Sequence, residues 1–168
     1  MVKIGINGFG RIGRLILRAL LENYKGKVQV VGVNDLGSIE ANAHLIKYDS
    51  THGTLNQIVK INKDGFQIGD QDIKVFAERD PAKLPWGKIG ADVVLECTGL
   101  FLDKISASKH LQAGAKKVII SAPAKEVDFT VVQGVNSKDL KKSHTIISNG
   151  SCTPNCLAPV AMVLENTF

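Results

Sequence analysis

Apolar positions along the chain follow two rhythms. Short unbroken runs, of the kind that fill a strand buried on both faces, occur at 2–6, 28–33, 92–97 and 118–120. Between some of them lie stretches whose apolar residues recur at helical spacing. The first run leads into such a stretch, opening near Arg11. There Ile12, Leu15, Ile16, Ala19 and Leu20 mark a face to pack, Arg14, Arg18 and Glu22 a face to be wetted, and Gly26 a stop. A second helix is expected over 39–48, with Ser38 as N-cap and Ala41, Ala43, Leu45 and Ile46 available for packing. The rhythm then changes. Residues 58–62 and 66–68 flank Lys63-Asp64-Gly65 as an antiparallel hairpin, and 73–77 offers a further strand. A helix over 103–113, strands over 130–135 and 145–148, and a last helix carrying Leu157, Val160, Ala161 and Leu164 complete the pattern. Strands alternating with crossovers predict an α/β fold, a mostly parallel doubly wound sheet with the antiparallel hairpin as an extension. Ligands of such sheets bind beyond the carboxyl ends of the strands, where Asn34-Asp35, Thr98-Gly99, Ser121-Ala122 and residues 149–152 all fall.

The junction between the first strand and the first helix carries chemistry. Gly8, Gly10 and Gly13 form a G-x-G-x-x-G series. At that spacing the chain can turn tightly, bring bare backbone up to a pyrophosphate and pack the helix closely on the sheet. Glycine triplets also occur in ordinary turns. Here, however, Asp35 ends the second strand 22 residues after Gly13, where a carboxylate can accept hydrogen bonds from an adenosine ribose and repel a 2′-phosphate. Strand, helix, strand and acid in register favour a dinucleotide site, with NAD preferred over NADP.

Composition narrows the class. A chain of 168 residues can hold one domain, or one domain and the start of another. The first ten residues lack the basic and apolar regions of a secretory signal, and no apolar run has membrane-spanning length. Three cysteines without framework spacing point to a reducing compartment, with the cytoplasm as default, and no metal is expected. The net charge of +5 comes from scattered residues such as Lys116-Lys117 and Lys141-Lys142, with no basic block interleaved with aromatics. That pattern suits solvated faces, so neither nucleic acid nor membrane is expected as a partner.

Cys152 stands just before a predicted helix, whose first turn accommodates Pro154. Free N–H groups and the helix dipole at such a place stabilise a thiolate and can steady an oxyanion, which makes Cys152 the candidate nucleophile; the plainer alternative is a small buried cysteine. Cys97, inside an apolar strand, is expected to be structural, and Cys156 more structural than catalytic.

Residues 7–14, 34–36, 48–53, 97–101, 116–123 and 151–153 together resemble the phosphorylating glyceraldehyde-3-phosphate dehydrogenase family, and the likeness runs from Val2 to Phe168. The resemblance implies a Rossmann-like NAD-binding domain over 1–150, followed at 151–168 by the nucleophile segment and first helix of a catalytic domain. It implies that Arg11 and Ile12 hold the pyrophosphate through their backbone within the Gly8, Gly10 and Gly13 loop. Asp35 would bind the adenosine ribose, and Arg79, Thr98, Gly99 and Ser121 would line the cofactor cleft. Cys152 would be the catalytic nucleophile and Ser151 and Thr153 phosphate contacts, acting on glyceraldehyde 3-phosphate and inorganic phosphate in a cytoplasmic, glycolytic homotetramer.

Two residues depart from the family pattern: Gly150 stands for a usual alanine and Pro154 for a usual threonine, which removes a hydroxyl and an N–H beside the phosphate site. The family's general base, a histidine further along than Phe168, matches none of His44, His52, His110 and His144, each expected at the surface or in packing. The expectation is an amino-terminal part that binds NAD without turning over. A non-catalytic NAD-binding module and erythrose-4-phosphate dehydrogenase stand as alternatives.

Overall fold

A computed structural model describes all residues 1–168. In chain order it contains β1 (Val2–Asn7), α1 (Arg11–Asn23), β2 (Val28–Asn34), α2 (Ile39–Lys47), β3 (Tyr48–Asp49), β4 (Gly53–Thr54), β5 (Val59–Asn62), β6 (Gly65–Ile68) and β7 (Gln71–Phe76). There follow β8 (Val93–Glu96), α3 (Lys104–Gln112), β9 (Lys117–Ile120), β10 (Phe129–Thr130), β11 (Ile146–Ser148) and α4 (Cys152–Thr167). Nine strands form one sheet in the order β10-β11-β9-β8-β1-β2-β7-β6-β5. From β10 to β7 every pairing is parallel, and the hairpin of β5 and β6 closes the far edge antiparallel. The expected architecture is therefore present.

Strand alternation divides the core between the two faces of the sheet. Ile4 and Ile6 of β1 pack with Leu17 and Leu21 of α1 and Ala43 and Ile46 of α2. Val94 of β8 faces the other way, into a cluster centred on Trp86, whose ring lies so close over Gly5 that a side chain at Gly5 would strike it. Beyond it, Ala107 of α3 covers Val118, Ile120 and Ile146.

Helix starts follow local chemistry. Ser38 Oγ accepts from Ala41 N at 3.1 Å and opens α2 as expected. Asp103, expected inside the third helix, is its N-cap and accepts from Ser106 N at 2.8 Å.

The structure also corrects the sequence reading. The buried face of α1 is Gly13, Leu17, Arg18 and Leu21, whereas Ile12 and Ala19 are exposed. Arg18, expected in solvent, is buried because its guanidinium donates to the carbonyls of Ile46, Lys47 and Gly53 and so ties α1 to the end of α2. On α2 only Ala43 and Ile46 of the expected residues bury, and Asn42 joins them. The strand expected over 130–135 stops at Thr130. The Asn136 side chain accepts from Val132 N and donates to Thr130 O, which draws the chain into a turn. The short β3–β4 hairpin was not expected; Asp49 nucleates it by accepting from the N–H groups of Thr51 and His52.

Candidate functional site: the glycine-rich cleft and the Cys152 turn

A cavity of about 510 Å³ opens at the carboxyl ends of β1, β2 and β8. Among its lining residues are Gly8, Gly10, Asp35, Arg79 and Thr98. Gly8 has φ +88°, and a Cβ there would come within 2.7 Å of Thr98 N, so the β1 turn requires glycine. Gly13 packs against the Gly8 carbonyl and brings α1 close to the turn. Gly10 has open space where a side chain would stand. No side chain caps α1, which leaves its first N–H groups facing out of the helix at this turn. The Arg11 guanidinium is held elsewhere, 3.0 Å from Asp49, which is itself kept down at about 2 chiefly by the N–H groups of His52 and Thr51.

Asp35 is fixed by two backbone donors. Its Oδ2 accepts from Phe9 N at 3.0 Å and its Oδ1 from Gly37 N at 2.9 Å. Each oxygen keeps acceptor capacity for a further donor such as a ribose hydroxyl. Open backbone N–H groups, a glycine without neighbours and a half-satisfied carboxylate suit the pyrophosphate and ribose of a dinucleotide.

The remaining predicted residues lie apart from this cavity or at its margin. Arg11, Ile12 and Gly13 form the first turn of α1 behind it, and Gly99 is exposed just after Thr98. Ser121 follows β9 and lies beside the Cys97 thiol. Cys97 lines the cavity, yet burial pushes its thiol up to about 11, which keeps it protonated and unreactive near neutrality. Ser151, Cys152 and Thr153 lie at the end of β11, separated from β8 by β9.

Cys152 is the first residue of α4 rather than the one before it, with Ser151 as N-cap. The Ser151 side chain accepts no capping bond, so the helix-start N–H groups of Cys152 and Thr153 lack a side-chain partner, and Pro154 has none to offer. The Asn155 side chain donates to Asn149 O at 2.7 Å and to Ser151 O at 2.9 Å, clamping the turn before the thiol. Gly150 sits in the turn at φ +67°. Cys152 and Cys156 are both exposed. Sequence reasoning missed Asn155, although an asparagine four residues into the segment was visible.

A family model described as the NAD binding domain of glyceraldehyde 3-phosphate dehydrogenase matches residues 2–104. The chain belongs to the glyceraldehyde-3-phosphate dehydrogenase family. Curated proteins of that name agree: 52% identity over 165 residues with the one from Xanthobacter flavus, covering 98% of this chain and 49% of the relative. Identity is 55% over 168 residues with that of Geobacillus stearothermophilus, covering 99% of this chain and 50% of the relative. The chain thus spans about half the length of the dehydrogenases it matches. Its cofactor is NAD, as the family and the cleft agree. No helix is long and apolar enough to cross a membrane.

Proposed function

We propose that the whole protein is a phosphorylating glyceraldehyde-3-phosphate dehydrogenase and that this chain carries its cofactor cleft and its nucleophile. The observation that carries the reading is the pairing of Asp35, with free acceptor capacity at the cleft, and an exposed Cys152 at an uncapped helix start. Residues 1–150 are the cofactor domain and 151–168 the opening of a catalytic domain, a division supported by the absence of any buried residue in α4.

In this reading the backbone of Arg11 and Ile12, beside Gly8, Gly10 and Gly13, holds the pyrophosphate. Asp35 accepts from the adenosine ribose and disfavours a 2′-phosphate, and Arg79, Thr98, Gly99 and Ser121 border the rest of the cofactor. NAD⁺, when bound, supplies the acceptor for the hydride that leaves the substrate. Cys152 Sγ adds to the aldehyde carbon, and the carbonyl oxygen, steadied by helix-start N–H groups, takes a proton to give a hemithioacetal. Loss of hydride from carbon and of the hydroxyl proton leaves a thioester. A phosphate oxygen then attacks that carbonyl, the C–S bond breaks, and the thiolate returns as the acyl phosphate departs. Ser151 and Thr153 contact phosphate, with Pro154 narrowing the donors available there. A cytoplasmic homotetramer rests on family membership alone.

The hydroxyl proton needs a base, a contribution of typically ~10²–10⁴-fold. His110 is committed to Glu96 and Trp86, His44 packs at a tilt against Tyr48, His144 stacks on Phe129, and His52 lies exposed in the turn between β3 and β4, outside the nine-stranded sheet that leads to Cys152. The chain by itself should therefore bind NAD without turnover. NADH formation at 340 nm from glyceraldehyde 3-phosphate and arsenate should match a Cys152→Ser control for this chain, and be abolished by the same substitution in the full-length enzyme. Full-length turnover of erythrose 4-phosphate alone, or none that depends on Cys152, would defeat the reading.

A further inference from the structure

Beneath the cofactor cleft runs a line of buried polar side chains that the proposed chemistry leaves unused. Asn34 Nδ2 donates to Asn7 Oδ1 at 2.7 Å, and Asn7 Nδ2 donates to Glu96 Oε2 at 2.6 Å. His110 Nε2 lies 2.8 Å from the same oxygen, and Trp86 Nε1 donates to His110 Nδ1 at 3.0 Å. Asn7, Asn34, Glu96, His110 and Trp86 are all buried. The other carboxylate oxygen, Glu96 Oε1, accepts from Thr98 N at 2.8 Å and from the Thr98 hydroxyl.

The direction of every bond in this line is fixed from its ends. An indole N–H can only donate, so His110 Nδ1 accepts, the ring proton sits on Nε2, and Nε2–H donates to Glu96. At the other end a backbone N–H, that of Glu78, donates to Asn34 Oδ1 at 2.9 Å, while Asn34 Nδ2 reaches the Glu78 carbonyl at 2.8 Å. Asn34 cannot flip, so Asn7 must present its carbonyl to Asn34 and its amide nitrogen to Glu96. Leu100 N donates to Thr98 Oγ1 at 3.1 Å, so that hydroxyl turns its own proton to Glu96. Four donors converge on Glu96, and three of them, Asn7 Nδ2, His110 Nε2 and Thr98 N, cannot reverse. Only an acceptor-only group satisfies them. A glutamine of the same shape would set its NH₂ against Thr98 N–H or against Asn7 and His110.

We infer that Glu96 is a positioning residue of the NAD cleft, an obligate buried carboxylate that sets Asn7 and the Thr98–Leu100 turn, the ends of two adjacent strands that line the cavity. It touches no cofactor and acts through Asn7 and Thr98. The inference rests on the cofactor reading of the cleft.

Calorimetric titration of NAD⁺ into the parent chain, Glu96→Gln and Val118→Ala tests it. In Glu96→Gln the side-chain NH₂ faces donors, which pushes Asn7 or the Thr98–Leu100 turn out of place in the cleft and should weaken binding by roughly 10-fold or more. Val118→Ala, a core truncation on the same face, lowers the melting temperature and should leave affinity within about two-fold. Equal affinity of Glu96→Gln and a parent that binds defeats this inference alone; a parent that fails to bind defeats the cofactor reading and this inference with it. Should Glu96→Gln not fold, ¹⁵N long-range NMR of the parent decides. A His110 ring protonated only at Nε2 supports the bond order, and a proton on Nδ1 overturns it.

Discussion

Helices α1 and α4 both spring from the carboxyl end of a parallel strand, and both begin without a capping side chain. Their surroundings differ. Helix α1 buries Gly13, Leu17, Arg18 and Leu21 against β1 and α2, whereas the longer α4 buries nothing and leaves Leu157, Val160, Val163 and Leu164 more than half exposed. The glycine-rich cleft is consequently built from groups whose positions this chain determines itself. The Cys152 turn is held by hydrogen bonds rather than by a packed helix: by Asn155, by Gly150 N donating to Ser148 Oγ at 3.0 Å and by Asn149 N donating to Ile120 O at 2.9 Å. The binding and the reaction proposed for the protein thus fall to regions with different degrees of self-sufficiency, and an apolar helix face of this size calls for a covering surface.

The comparison breaks most sharply on a pair of truncations. Leu17 is fully buried, and Leu17→Ala should cost about 2–5 kcal/mol of stability through lost transfer and a cavity. Leu164→Ala should change stability by no more than about 0.5 kcal/mol, since that side chain already stands in water. Urea denaturation of both variants gives the answer; a comparable loss from Leu164→Ala would mean that α4 is packed after all.

The contrast also explains what was legible in the sequence. The order of strands and helices, the hairpin and the Gly8–Gly13 turn could be read because each depends on local chemistry or on period. The face of α1 could not. Arg18 looks solvated until four residues of α2 and the β3–β4 hairpin supply backbone acceptors, partners distant in sequence. Residues 130–135 have a strand composition, yet Asn136 competes for their backbone. The role of His110 depends on Trp86 and Glu96, which no spacing connects. Of the cleft, Gly8 and Asp35 were readable because a fingerprint fixes their separation, whereas Asn7, Asn34 and Glu96 looked like ordinary polar ends of strands.

Cysteine reactivity should also separate the two regions. Burial first, and the Glu96 charge after it, raise the Cys97 thiol to about 11 from an ordinary 9.0, and the nearby Ser121 hydroxyl offsets only part of this. Its thiolate fraction should fall about 100-fold below that of an ordinary thiol at neutral pH, before access is counted. Limiting iodoacetamide followed by peptide mass spectrometry should label Cys152 before Cys97. Faster labelling of Cys97 would place a reactive thiol inside the cleft and contradict its burial.

A smaller effect is expected at Asp35. Removing its carboxylate takes away an acceptor for the ribose and the repulsion of a 2′-phosphate, and hydrogen bonds to charged groups contribute about 1.5–3 kcal/mol. Asp35→Ala should weaken NAD⁺ by roughly 10-fold or more and narrow the gap to NADP⁺. Unchanged selectivity in calorimetric titrations would remove Asp35 from the site.

The smallest difference concerns acid. Asp128 is held well below the usual carboxylate range, first by Lys104 and then by the N–H groups of Ile146 and Thr145, and so ties α3 to β11 shortly before the Cys152 turn. Asp49, at about 2, secures the β3–β4 hairpin beside α1. Both folded values lie below the ordinary 3.8, so the unfolded chain binds more protons as the medium is acidified. Their contribution is therefore complete above about pH 5 and is lost as pH falls through 4 towards 2. Asp128→Asn should flatten the decline of melting temperature between pH 5 and 2.5, because an amide cannot gain that proton. Asp49→Asn should flatten it less. The linkage scales with how far the folded carboxyl is depressed, and Asp49 is depressed less than Asp128. A melting profile as steep in Asp128→Asn as in the parent would show that other carboxylates control acid unfolding and that the tie between α3 and β11 does not set it.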